Sequence, residues 1–304
     1  MKISIVIPVY NSENSLQPLY QKIEAALNQY DWEMILVNDC SEDSSWGAMQ
    51  GLAAHDKRIK TYNLTNNFGQ HNAIMCGLNQ VSGSHIVTMD DDLQHPPEEI
   101  AKLLESHAKS GFPVVYGQYK KKKHGSFRDW FSKSINRALS KVTGTGYNVT
   151  SFRLMTRAVV EELVKITMHN VMIDVLIKDI VHPTQVGHVL VRHDPRTIGE
   201  SNYSMGKLAK YALNMIFNYT TLPLKIGVFL GITFSAVSIV IGVYYIFHYF
   251  IYGITVKGWT SLLVLLTLFF GILFLMLGII GDYVGKIYLI ANKKPQYIIQ
   301  KNLK

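Results

Sequence analysis

The chain has 304 residues, enough for one large domain or two modest ones with a buried core. Its formal net charge of +8 calls for an anionic partner. Two long apolar stretches near the C-terminus make anionic lipid a simpler partner than nucleic acid. Cys40 and Cys76 are the only cysteines and neither has a metal-ligand spacing, which argues against a disulfide framework.

In chain order, short apolar runs at Ile3–Ile7, Met34–Val37, Ile59–Tyr62, Ile86–Met89 and Val114–Tyr116 predict buried strands. Between them, Leu16–Leu27, Trp46–Ala54, Ala73–Leu78 and Ile100–Ala108 have the spacing of amphipathic helices. Strands alternating with helices imply an α/β fold with a mainly parallel sheet covered on both faces. Ligands of such sheets bind beyond the carboxyl ends of the strands.

From Lys120 the pattern is less regular. A basic run, Lys120–Lys123, precedes a stretch in which Trp130, Phe131, Ile135 and Leu139 recur at helical spacing. Leu208, Tyr211, Ala212, Met215, Ile216 and Tyr219 recur likewise. Both stretches fit helices lying on a bilayer surface. Ile226–Tyr252 and Trp259–Ile280 contain no Asp or Glu and no Lys outside the Gly253–Gly258 turn. Each is long enough to cross a hydrocarbon core of roughly 30 Å, so a transmembrane hairpin is expected. Lys207, Lys210 and Lys225 precede it, Lys286, Lys293, Lys294, Lys301 and Lys304 follow it, and Lys257 alone lies between. That asymmetry puts both chain ends on the cytoplasmic side of a plasma (inner) membrane. The apolar run at the N-terminus is too short for a secretory signal peptide.

The residues just after the strands carry the chemistry. They are Pro8-Val9-Tyr10-Asn11-Ser12, Asn38-Asp39-Cys40-Ser41-Glu42-Asp43, Asn66-Asn67-Phe68-Gly69-Gln70-His71 and Asp90-Asp91-Asp92-Leu93-Gln94-His95-Pro96-Pro97. Three adjacent carboxylates repel unless a cation sits among them. In an extended segment Asp90 and Asp92 face one way and Asp91 the other. Oxygen-only ligation favours Mg²⁺ or Mn²⁺, with substrate phosphates completing the shell. His71, His95, His193 and His248 lack metal spacing and read as structural or solvent-facing. A solvated acidic turn ahead of the helix near Pro97 is the alternative reading of the three carboxylates alone.

In order and spacing, Pro8-Val9-Tyr10-Asn11, Asn38-Asp39-x-Ser41-x-Asp43, Asn67-Phe68-Gly69-Gln70 and Asp90-x-Asp92-Leu93-Gln94-x-Pro96-Pro97 resemble family 2 glycosyltransferases of the GT-A fold. Ser151-Phe152-Arg153-Leu154-Met155, Arg196-x-x-Gly199-x-Ser201-x-Tyr203 and the tandem spans extend the resemblance to the polyprenyl-phosphate branch. That branch includes dolichol-phosphate mannose synthases and the undecaprenyl-phosphate glucosyl and aminoarabinose transferases. The resemblance implies that Pro8, Tyr10, Asn11, Asp39, Asn67, Gly69 and Asp91 line a donor pocket. It implies that Asp90, Asp92 and Gln94 hold the Mg²⁺ or Mn²⁺ on the donor diphosphate, with Asp92 essential to catalysis. Arg153 and Arg196 would bind phosphate of donor or acceptor, and Ser201 and Tyr203 would join them at the acceptor phosphate.

Two departures stand out. Ser12 replaces a Glu common in the family, with Glu13 as a substitute. Ser151 replaces the Asp that relatives carry before Phe-Arg, the usual candidate base; Asp174 is a stand-in. A phosphate monoester acceptor is already largely ionised at neutral pH, with a second pKa of about 6, so the loss is tolerable. The resemblance therefore implies inverting transfer of a sugar from a nucleotide sugar, a UDP-sugar favoured, to undecaprenyl or another polyprenyl phosphate at the cytoplasmic membrane face. The expected layout is a GT-A domain over residues 1–203, an amphipathic juxtamembrane helix over 204–225, two transmembrane helices over 226–285 and a basic cytoplasmic tail over 286–304. Gly227-x-x-x-Gly231 and Gly281-x-x-x-Gly285 permit close helix approach within the hairpin or between protomers of a homo-oligomer. A catalytically silent scaffold subunit that binds nucleotide sugar is the alternative from another class.

Overall fold

The structure, a computed structural model, describes residues 1–119, 149–168, 171–194, 222–252, 258–291 and 295–303. The basic run at 120–123, the two amphipathic stretches, and Arg196, Ser201 and Tyr203 lie outside the described residues. The chain divides into two compact units, Met1–Tyr203 with Pro295–Lys304, and Ser204–Lys294.

In the first unit, β1 (Lys2–Val9) pairs in parallel with β2 (Asp31–Asn38) and β4 (His85–Thr88), and β2 pairs in parallel with β3 (Ile59–Leu64). All but the first residue of β1 and of β2 is buried. Strands covered on both faces are mostly apolar, which is why they read as apolar runs, and the buried exceptions ahead of their tips, Ser4 and Glu33, bond to each other. Successive side chains still go to opposite faces. Ile3, Ile5 and Ile7 pack with α1 (Glu13–Ala26), α2 (Ser45–His55) and α4 (Ile100–Ser110), through Leu16, Leu19, Met49 and Leu103. Val6 packs on the other face with α3 (Gln70–Leu78), α5 (Arg157–Leu163) and α6 (Ile173–Ile180), through Ile74, Val160 and Leu176. Gly77 lets α3 close onto this face, because a Cβ there would run into Val6.

The sheet is more mixed than the sequence suggests. Four further strands, β5 (Val114–Tyr119), β6 (Arg153–Thr156), β7 (Val186–Val191) and β8 (Ile299–Leu303), complete the order β7-β5-β6-β4-β1-β2-β3-β8. β6 runs antiparallel between β4 and β5, β7 is parallel to β5, and β8 is antiparallel to β3. Of these four, only β5 shows a clear apolar run. β6 is four residues long and opens on Arg153, and β8 reads Ile-Gln-Lys-Asn-Leu on the sheet edge.

The second unit contains α7 (Leu222–Tyr252) and α8 (Trp259–Ala291). They approach closely where Gly227 faces the Met276 side chain. Among the described residues one helix is long and apolar enough to cross a membrane, α8 over Leu268–Gly285. The two-span expectation is thus met at one helix of the two. Phe229, Phe250 and Phe274 are 69%, 78% and 68% exposed within the chain, so these helices turn apolar surface outward rather than into a core of their own. The region 286–304, expected as a basic tail, is divided: α8 continues to Ala291, and β8 joins the sheet of the first unit. Pairing of its backbone with β3, together with burial of Gln296, outweighs the pull of its lysines toward solvent.

Candidate active site

β1, β2, β3 and β4 are parallel, so their carboxyl ends open on one edge of the sheet. A cleft of about 580 Å³ lies there. Every residue of the expected donor and metal sets lines it except Asn11. Val9 and Gln70 complete the lining.

Each of the four strand tips carries one residue in the left-handed region: Asn11 (φ 53°), Cys40 (φ 59°), Gly69 (φ 87°) and Leu93 (φ 63°). Only glycine takes this backbone freely, and the other three cost about 1–3 kcal/mol each. Sharp turns there end the strands and direct polar side chains and amides to the cleft. Hydrogen bonds between tips hold the turns. Asn11 donates its amide to Ser41 Oγ (3.0 Å), and its Oδ1 accepts from the Glu42 amide (2.8 Å). Asn11 therefore fixes the β1 and β2 tips to each other instead of lining the cleft. Glu13, expected to replace a donor contact at Ser12, instead accepts from the Ser44 amide (3.0 Å).

Asp39 is 3% exposed. Its two oxygens accept the amides of Phe68 (2.7 Å) and Gly69 (2.9 Å). Burial pushes its carboxyl above the ordinary range, and those two amides oppose the rise. It thus shapes the β3–α3 turn while still lining the cleft.

The three consecutive aspartates take different environments. Asp91 turns toward the β1 tip, where its Oδ2 accepts the Tyr10 amide at 3.2 Å. Burial pushes its carboxyl up to about 6, with bonds from Ser12 and Tyr10 opposing and the charges of Asp90 and Asp92 adding to the rise. Asp90 is held at both oxygens, by Gln70 Nε2 (2.7 Å) and Ser151 Oγ (2.6 Å). Asp92 Oδ1 accepts the Gln94 amide at 3.1 Å. The chain bends through Asp91, Asp92 and Leu93, the last at positive φ, so the segment is not the extended strand that the alternation argument assumes.

The sequence assigns Gln70 no role, while the nearness of His95 to the acidic cluster and its structural reading both hold. Gln70 sits on the first turn of α3 with its amide on Asp90. His95 is 4% exposed, stacked between Tyr119 and Phe152 with interplanar angles of 12° in both pairs. Its Nδ1 lies 3.3 Å from the Asp90 amide, which requires an unprotonated Nδ1. Burial lowers its pKa and favours that neutral form. The signal in the sequence is the closeness of His95 to the acidic cluster.

Arg153 and Asp174 are not brought to the cleft. Arg153 is 1% exposed and ion-pairs with Asp174, which also accepts from the Tyr116 hydroxyl (3.0 Å). Arg153 Nε donates to Thr88 Oγ1 (3.1 Å), and Thr88 Oγ1 donates to the Ser151 carbonyl (2.6 Å). A buried guanidinium needs a carboxylate, and Asp174 supplies it. This corrects the expected roles of phosphate ligand and stand-in base: the pair anchors the strand that presents Ser151 to Asp90.

Such a fold and cleft define an α/β protein with a ligand-sized, acidic cleft at its strand tips. Residues 4–164 match the model described as glycosyl transferase family 2, and the chain belongs to that family. It is 34% identical, over 99% of its length and 94% of the relative's, to an undecaprenyl-phosphate 4-deoxy-4-formamido-L-arabinose transferase of Photorhabdus laumondii. It is 30% identical, over 99% and 98%, to the SfII prophage-derived bactoprenol glucosyl transferase of Shigella flexneri. Among solved structures, its fold resembles glucosyl-3-phosphoglycerate synthase from Mycobacterium tuberculosis in complex with Mn²⁺, UDP-glucose and phosphoglyceric acid. The TM-score is 0.54 at 17% identity, covering 71% of this chain and 77% of that one.

Proposed function

We propose that the chain transfers a sugar from a nucleotide sugar, a UDP-sugar above others, to a polyprenyl phosphate, undecaprenyl phosphate in a bacterium. The observation that carries the reading is the cleft at the strand tips, lined by Asp39, Asn67, Gly69 and the three consecutive aspartates. The relatives' names support the acceptor: they share a polyprenyl carrier and differ in sugar.

Tyr10, Asp39, Asn67 and Gly69 would hold the nucleoside. Asp90, Asp92 and Gln94 would hold Mg²⁺ or Mn²⁺. Among the described residues no three His, Cys, Asp or Glu side chains are placed to hold a metal by themselves. An all-oxygen set with two carboxylates fits a hard ion that keeps positions for diphosphate oxygens. When bound, that ion offsets charge on the departing nucleoside diphosphate. Gln70 and Ser151 orient Asp90, and neither takes a proton. None is needed: the acceptor phosphate oxygen is already ionised, attacks the anomeric carbon as the bond to the diphosphate breaks, and inverts that centre. Arg196, Ser201 and Tyr203 would contact the acceptor phosphate. A lipid acceptor cannot leave the bilayer, which accounts for α8 and, on this reading, for α7 as a second span with the catalytic unit and both termini cytoplasmic.

The test is transfer of radiolabelled sugar from a panel of UDP-, GDP- and dTDP-sugars to undecaprenyl phosphate in detergent with Mn²⁺. Label should enter the lipid phase from one nucleotide class. Hydrolysis to free sugar would overturn the lipid acceptor, and no product of any kind from any donor would favour the silent scaffold.

A further inference from the structure

The segment that follows α8 packs behind the 67–70 wall of the cleft. β8 pairs with β3, and the Thr65 amide, just beyond β3, donates to the Ile298 carbonyl at 3.0 Å. Gln296, only 7% exposed, donates from Nε2 to Asn72 Oδ1 on α3 at 3.0 Å. Asn72 in turn donates from Nδ2 to the Phe68 carbonyl at 2.8 Å. The Phe68 and Gly69 amides grip the two oxygens of Asp39 at 2.7 and 2.9 Å. A continuous relay thus runs from Gln296 through Asn72 and the 68–69 turn to Asp39. A second tie runs from Gln300 Oε1, which accepts from Asn63 Nδ2 (3.1 Å), to Asn38, which donates to Asn63 Oδ1 (2.7 Å).

The geometry points to Gln296 as a positioning residue for the nucleotide pocket, with the C-terminal segment a part of the donor site that sets the 67–69 turn through Asn72. This rests on the reading of the cleft as a nucleotide-sugar site. Gly69 has a left-handed backbone and Asp39 is buried, so neither reaches its position without the turn being held from behind. A buried amide relay suits that task, because breaking one link removes a hydrogen bond from a buried polar group and loosens the next link. The backbone that performs the docking is the short segment immediately after α8, and loss of its grip would be felt in the donor pocket before the acceptor.

Two measurements on the full-length protein in detergent test this. UDP binding with Mn²⁺ is titrated for wild type, Gln296→Leu, Asn72→Leu and the double variant. Each single change should weaken UDP about three- to tenfold. The double variant should be no weaker than the worse single, because both act on one relay. The KM for donor should rise while that for lipid acceptor stays unchanged. Hydrogen exchange on the wild type alone, which needs no variant to fold, should show added protection in 295–303 as well as 65–70 when UDP binds, as reciprocity requires. Unchanged UDP affinity in Gln296→Leu, or no UDP-dependent protection in 295–303, would overturn the relay while leaving the nucleotide reading intact. A wild type that binds no nucleoside diphosphate would overturn both.

Discussion

Two carboxylates, buried Glu33 and half-buried Asp91, sit at opposite edges of the parallel sheet and are treated in opposite ways. Near the amino ends, Glu33 on β2 is 2% exposed and fully partnered by Ser4 Oγ (2.6 Å), Lys60 Nζ (2.7 Å) and the Ser82 amide (2.6 Å). Burial alone would raise its pKa, but the bonds from Lys60, Ser4 and Ser82 bring it down to about 2. At the carboxyl ends, Asp91 is pushed up to about 6 with two more aspartates beside it. One end uses charge to join three strands. The other keeps charge unneutralised, which is stable only because the rest of the sheet supports it, and which a bound cation would relieve.

The contrast gives graded expectations. Asp92→Asn should lower sugar transfer at least about a hundredfold, as loss of a group stabilising departing charge does, while the melting temperature stays within a few degrees. Strong residual turnover would place the ion elsewhere. Glu33→Ala should do the reverse: lose about 3 kcal/mol of stability by stranding Lys60 and Ser4, with kcat per folded molecule unchanged. Because Glu33 has a depressed pKa, its contribution is full above its ordinary 4.5 and disappears as pH falls toward about 2. Acid titration of wild type against Glu33→Ala measures that window.

Asp91 has the opposite sign. Its pKa is raised, so its charged form destabilises the fold above about 6, and the cost is gone below its ordinary 3.8. In EDTA, Asp91→Asn should therefore stabilise the protein at pH 7.5, on the order of 2 kcal/mol, and flatten the melting temperature between those two values. A destabilised variant would mean that Asp91 is already compensated. The smallest effect is expected at Ser151→Ala, which frees one oxygen of Asp90. A Mn²⁺ requirement raised about three- to tenfold, with KM for the lipid unchanged, would separate orientation of Asp90 from any part in acceptor binding.

Much of this was legible in the sequence for a simple reason. β1 and β2 are covered on both faces, so they read as apolar runs interrupted only by the Ser4–Glu33 pair, and the polar residues after them fall at one edge of a parallel sheet. That rule located the four tips, and the family resemblance then named the residues among them that line the cleft. What stayed hidden depends on partners distant in the chain. Arg153 looks like a phosphate ligand until Asp174 and Tyr116 are seen around it. Ser151 looks like a lost base until its hydroxyl is found on Asp90. β8 carries polar residues on an edge strand and pairs with a segment more than two hundred residues earlier, so no local pattern announces it.

The central claim is that the acidic cluster holds a divalent ion against a nucleoside diphosphate, and calorimetric titration of UDP into the protein tests it most directly. Wild type should bind UDP with Mn²⁺ and lose most of that affinity in EDTA, while Asp92→Asn should bind weakly in both. Equal UDP affinity with and without Mn²⁺ in the wild type, or full Mn²⁺-dependent affinity in Asp92→Asn, would contradict it.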